Sequence, residues 1–112
     1  MPRFEITARS RLDAPADRVW ERISTMEGVN DELRPLPRMS RGFFERARLA
    51  SQRLWEHERR IEPAGEACVV VDRVCHEPRL PFGERVQSAL IRQVFLHRHR
   101  RLRRRFGGGP DR

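Results

Sequence analysis

The sequence predicts an α+β domain: an antiparallel sheet of about four strands packed on one long C-terminal helix, with two short helices after the first strand. Three observations carry this expectation. Residues 3–12 alternate between apolar and polar with a period of two. Two strand-like runs, Leu54 to Glu62 and Ala67 to Glu77, flank the turn Pro63-Ala64-Gly65-Glu66. The run from about residue 83 to 106 has helical spacing and stops at Gly107-Gly108-Gly109-Pro110. With 112 residues the chain is one domain. Folding at this size buries about 65% of the unfolded chain's surface, enough for one small core. Residues 1–107 are read as that domain and 108–112 as a disordered tail.

In the first strand Phe4, Ile6, Ala8 and Leu12 share one face, with Ser10 its weak member, and Arg3, Glu5, Thr7, Arg9 and Arg11 share the other. Asp13 is expected to cap the next helix and Pro15 to occupy its first turn. Ala16, Val19, Trp20 and Ile23 then recur at i, i+3, i+4 and i+7. Met26, Val29 and Leu33 mark a second short helix that Pro35 stops, and Pro35 to Gly42 reads as a linker. Phe43 to Leu49 is a further strand candidate. Along Leu54 to Glu62, Trp55, His57, Arg59 and Ile61 share a face. The returning strand is rich in valine, and the two should form a hairpin whose faces exchange on a one-residue slip. In the last helix Val86, Leu90, Val94, Leu102 and Phe106 form the expected buried stripe, widened by Ile91 and Phe95. A helix of that length is roughly 36 Å long and needs the sheet to cover its stripe.

Composition narrows the function classes. No apolar run approaches the roughly 18 residues of a membrane-spanning helix, so an integral membrane protein is not expected. The first residues lack the apolar stretch of a secretory signal, and two cysteines make no disulfide scaffold, so a cytoplasmic location is expected. All 24 basic residues are arginine, which GC-rich coding explains without function. The net charge of +8 is concentrated at the end: residues 92–112 carry +7 of it. Arg98, Arg100, Arg101, Arg103, Arg104 and Arg105 are therefore the candidate anionic surface, for nucleic acid or an anionic membrane. Leu102 and Phe106 continue the apolar stripe through that run, which favours a solvated helix face instead.

Catalytic and metal chemistry find little support. No Ser-His-Asp order, His-Glu-x-x-His or glycine-rich phosphate loop appears, so no catalytic residue and no cofactor are assigned. Cys68 and Cys75 lie seven apart on one strand and point to opposite faces. His97 and His99 stand about 200° apart on a helix, so no metal site is expected. The most informative cluster is Trp55, His57 and Arg59 on one strand face with Asp72 on the partner strand. One hairpin register opposes His57 to Asp72 directly and orients the imidazole.

Three segments together resemble the START-like, or SRPBCC, superfamily in its polyketide cyclase/dehydratase branch. Phe4-Glu5-Ile6 through Ala14-Pro15-Ala16-Asp17-Arg18-Val19-Trp20 is similar to its opening strand and helix. Trp55-Glu56-His57-Glu58-Arg59-Arg60-Ile61, followed by Asp72-Arg73-Val74 and Glu77-Pro78-Arg79, is similar to its last strand pair. Phe95-Leu96-His97-Arg98-His99-Arg100-Arg101-Leu102 resembles the end of its final helix. The resemblance implies a helix-grip fold, here reduced because the linker stands where further strands would come. It also implies a small hydrophobic or aromatic ligand between sheet and helix, with Val19, Trp20, Trp55, His57, Arg59, Asp72, Val94 and Phe95 as candidate lining residues. The alternative is a non-catalytic interaction module, using either the arginine-rich helix or an open sheet edge that forms a homodimer.

Overall fold

The computed structural model describes residues 3–32, 34, 50–79 and 83–110. Their order is β1 (Phe4–Leu12), α1 (Ala16–Ile23), α2 (Met26–Glu32), β2 (Gln52–Ala64), β3 (Ala67–Pro78), α3 (Glu84–Phe106) and β4 (Gly108–Pro110). The four strands make one antiparallel sheet in the order β2-β3-β1-β4. The α+β class, the sheet and the C-terminal helix are thus as the sequence predicts. The expected strand Phe43 to Leu49, the linker from Pro35, and Leu33 lie outside the described residues.

Alternation makes β1 a central strand: Ile6, Ala8, Ser10 and Leu12 are all buried. It pairs with β3 from Phe4↔His76 to Leu12↔Cys68. The β2–β3 hairpin turns at Gly65, whose φ of +67° suits glycine, and closes with Ala64 opposite Ala67. This register opposes Arg59 to Asp72, and His57 to Val74. His57 and Asp72 are therefore diagonal neighbours, correcting the directly opposed pair; because the period is two, they still share a face.

Two further expectations are corrected. Asp13 does not cap α1, whose N-cap is Pro15 with no side-chain cap bond. The Asp13 backbone N–H instead donates to the Gly107 carbonyl at 3.2 Å, tying the end of β1 to the end of α3. Residues 108–110 are not a disordered tail but β4, paired with Ser10–Leu12. The approach is close enough that a Cβ at Gly108, where φ is +116°, would stand 1.9 Å from the Arg11 carbonyl oxygen. Glycine at this position is what lets the chain lie against β1.

Helix α3 lies across the sheet, and the face it buries differs from the expected stripe. Ile91, Phe95, His99, Leu102 and Phe106, spaced by four, four, three and four, turn inward. Val86 and Leu90 are each 62% exposed and Val94 is 37% exposed. At 100° per residue these three lie one position out of register with the inward set and rotate onto the flank. The apolar core is in two parts. One gathers Leu12, Ala14, Val19, Ile23, Cys68, Val70 and Leu102; the other gathers Ile6, Ala8, Val74 and Phe95, with Trp55 and Ile91 against it. Between them lies a layer of charge.

Candidate functional site

Three elements bring that charge together. β3 contributes Asp72, β2 contributes His57 and Arg59 from the neighbouring register positions, and α3 contributes His99 between Phe95 and Leu102. Asp72 is 1% exposed, and four donors fill its two oxygens. His57 Nε2–H and Arg59 Nε–H donate to Oδ1 at 2.7 and 2.8 Å. Arg59 Nη2–H and His99 Nε2–H donate to Oδ2 at 2.8 and 2.6 Å. Burial alone would raise the Asp72 pKa, but the bonds from His57, His99 and Arg59, with the charge of Arg59, hold the carboxyl well below the usual range.

The network continues on both sides. Arg59 makes a bidentate contact with Glu32 at the end of α2, Nη2 to Oε1 at 2.7 Å and Nη1 to Oε2 at 3.1 Å. Arg98 Nε–H donates to the same Oε1 at 3.1 Å, and its guanidinium lies 5.1 Å above the Phe95 ring. Burial works against the charge on Arg59, yet Asp72 and Glu32 together push its pKa up. For Arg98, burial first and then repulsion from Arg59 push it down. On the other side Arg103 Nη1–H donates to Ser10 Oγ at 2.8 Å, and the Ser10 hydroxyl donates to His99 Nδ1 at 2.7 Å. Arg59 and Arg98 thus face Asp72 and Glu32, with Arg103 joined through Ser10, in a layer that pins α2, α3 and the sheet together.

Ser10, His99 and Asp72 are connected in the sequence of a hydrolytic triad, but the chemistry does not follow. The Ser10 side chain is fully buried and already takes a bond from Arg103, so no substrate reaches its oxygen. The open end of the cluster is His57. Its side chain is 26% exposed, its ring stands edge-on to Phe95 at 4.9 Å, and Asp72 fixes Nε2 as the donor. Nδ1 has no partner among the described residues. An imidazole so held can accept a hydrogen bond from a hydroxyl placed against it.

The structure unites Trp55, His57, Arg59, Asp72 and Phe95, but they differ in what they offer. Arg59 and Asp72 are saturated and form a floor; Trp55, His57 and Phe95 form the wall above it. Val94 is on the flank of α3, 37% exposed. Val19 is buried in the other core cluster, and Trp20 points outward at 55% exposure. Of the arginine run, Arg98 and Arg103 turn into the layer, while Arg101 and Arg105 reach Asp31 of α2 at 3.5 and 3.9 Å. Arg100 and Arg104 are exposed and make no ion pair among the described residues. Ser10, Glu32 and His99 were not expected here. His99 carried the only usable signal, standing four residues after Phe95 in the buried helical register.

A second buried histidine lies at the other end of the sheet. His76 Nδ1–H donates to Gln52 Oε1 at 3.0 Å, the Ser88 hydroxyl donates to Nε2 at 3.3 Å, and Phe4 stacks on the ring at 5.4 Å. Burial lowers its pKa. Burial likewise pushes the Cys68 thiol up, in keeping with an inert core cysteine. No group of side chains that could hold a metal occurs among the described residues.

Residues 10–42 and 40–106 match the model of a family described as Domain of unknown function (DUF8410). The chain belongs to the DUF8410 family. Every member of the charge layer lies inside the matched residues, whereas β4 lies beyond them. No curated protein and no solved structure matches the chain. No helix among the described residues is long and apolar enough to cross a membrane.

The buried groups set an acid limit on folding. His76 has a folded pKa below its unfolded value of about 6.5, and Asp72 one below its unfolded value of about 3.9. In both cases the unfolded chain binds protons first, so stability is complete above the unfolded pKa and is lost as pH falls toward the folded one. The urea midpoint should decline in two stages, the first below about pH 6.5 and the second below about pH 5. His76→Asn should flatten the first stage and leave the second. Equal slopes in both proteins between pH 7.5 and 5.5 would contradict the assignment.

Proposed function

We propose that this DUF8410 chain is a reduced helix-grip domain that holds a small aromatic or apolar molecule carrying one hydroxyl at the mouth of the gap between β2 and α3. The single observation that carries the reading is His57: its side chain 26% exposed, edge-on to Phe95, and held by Asp72 through Nε2, with Nδ1 left without a partner among the described residues. The half-buried Trp55, backed by the buried Phe95, supplies apolar surface beside it, and a few placed polar groups in such surroundings are how small-molecule sites fix orientation. The fold part of the reading is supported by the element order, two short helices after β1 and a long last helix across a sheet with β1 beside β3. It is further supported by the two segments of the family match, which meet at residues 40–42, where the helix-grip reading places the missing strands. A binding role without catalysis agrees with the buried state of Ser10.

The homodimer reading draws less support. β2 is the edge of the described sheet, but Arg60 there is paired with Glu58 and Glu62 in a charged row, a pattern that discourages strand addition. Calorimetric titration with 1-naphthol and naphthalene tests the ligand reading. Saturable binding at one site per chain is expected, with 1-naphthol about fivefold tighter, the worth of one hydrogen bond of about 1 kcal/mol. His57→Phe should remove the difference between the two. Failure of the folded protein to bind either compound would overturn the reading.

A further inference from the structure

α1 and the last turn of α3 line an open groove of about 440 Å³, bordered by Arg18, Glu21, Arg22, Arg105 and Phe106. Three of these five side chains are guanidiniums, and they converge from two helices. Their intramolecular partners do not use them up. Arg18 makes no ion pair among the described residues. Arg22 reaches Glu27 and Asp31 through its terminal nitrogens at 3.4 and 3.8 Å, but its Nε is buried without a hydrogen-bond partner among the described residues. Arg105 approaches Asp31 only at 3.9 Å, and that one carboxylate is shared with Arg22 and Arg101. A buried donor left unfilled is costly, and an anion entering the groove would fill it.

From this arrangement we propose that the groove binds a small phosphate monoester bearing a flat apolar group. Convergent guanidiniums match the several acceptor oxygens and double charge of a terminal phosphate. The half-buried Phe106 ring, packed on the core, gives the organic part a face to lie on. Glu21 also lines the groove, and its carboxylate repels more strongly as the ligand's negative charge grows, which disfavours polyphosphates and a nucleic-acid backbone. The volume exceeds what inorganic phosphate fills and admits one ring beside it. The site is separate from His57 and shares none of its residues.

Calorimetric titration of the full chain with inorganic phosphate, phenyl phosphate, and phosphatidylcholine vesicles containing phosphatidic acid tests this. Phenyl phosphate should bind at one site, at least tenfold tighter than inorganic phosphate. Arg18→Gln, at an exposed position, should weaken it at least tenfold with an unchanged urea midpoint, and Phe106→Leu should erase the advantage of the phenyl ring. Arg104→Gln should leave affinity unchanged. Vesicle binding lost in Arg18→Gln while soluble probes stay silent would place the phosphate on a lipid headgroup; the reverse would place it on a free ester. No binding by any probe, or equal losses in Arg18→Gln and Arg104→Gln, would overturn the proposal.

Discussion

Asp72→Asn is expected to remove about 3–5 kcal/mol of folding stability, the cost of breaking a buried ion pair from one side. The side chain keeps its shape, so packing is unchanged and the loss is electrostatic. Four N–H groups converge on the two Asp72 oxygens, and an amide replaces one of those oxygens with a donor. Arg59 would keep only Glu32 as its counter-charge, in a site already shared with Arg98. Urea unfolding at pH 7 measures the effect, with Glu58→Gln on the solvent face as a control expected within about 0.5 kcal/mol of wild type. A loss below about 1 kcal/mol for Asp72→Asn would mean that the layer is not the clamp between α3 and the sheet.

Phe95→Ala should cost about 3–5 kcal/mol, while Val94→Ala, one residue earlier, should cost less than about 0.5 kcal/mol. Phe95 is 3% exposed and completes the smaller core cluster with Ile6, Ala8 and Val74, besides receiving the His57 ring edge and the Arg98 guanidinium. Val94 sits on the flank. The pair of variants therefore reads the rotation of α3 about its own axis. Equal losses, or a larger loss for Val94→Ala, would place the helix in the register suggested by its apolar residues alone.

The difference between those two registers shows where the sequence is legible and where it is not. Period-two alternation revealed β1 because its buried face is apolar except at Ser10, and the turn residues around Gly65 located the hairpin. The shared face of Trp55, His57 and Arg59 followed from the same period. Helix α3 misled because its buried stripe contains His99: a polar residue at the centre of the contact breaks the apolar pattern, and the eye passes to Val86, Leu90 and Val94. What makes His99 an inward residue is Asp72, which is 27 positions away and cannot be read from the helix. Glu32 was hidden for the same reason, since its partners Arg59 and Arg98 lie on two other elements. The arginine run looked like one exposed surface because composition records charge but not the carboxylates that fold against it. β4 was missed because three glycines and a proline signal a chain end, and only the space beside Arg11 and Leu12 makes them a strand.

In the proposed site Asp72 holds the His57 imidazole so that its other nitrogen meets the ligand. Long-range nitrogen–proton spectra of the three sheet-facing histidine rings, His57, His76 and His99, taken with and without saturating 1-naphthol, test it most directly. The expected result is a protonated Nε2 on His57 in both states and a shift at His57 Nδ1 on addition, with His99 and His76 unmoved. An unshifted His57 in a protein that has bound the naphthol, or a shift centred on His99, would contradict it.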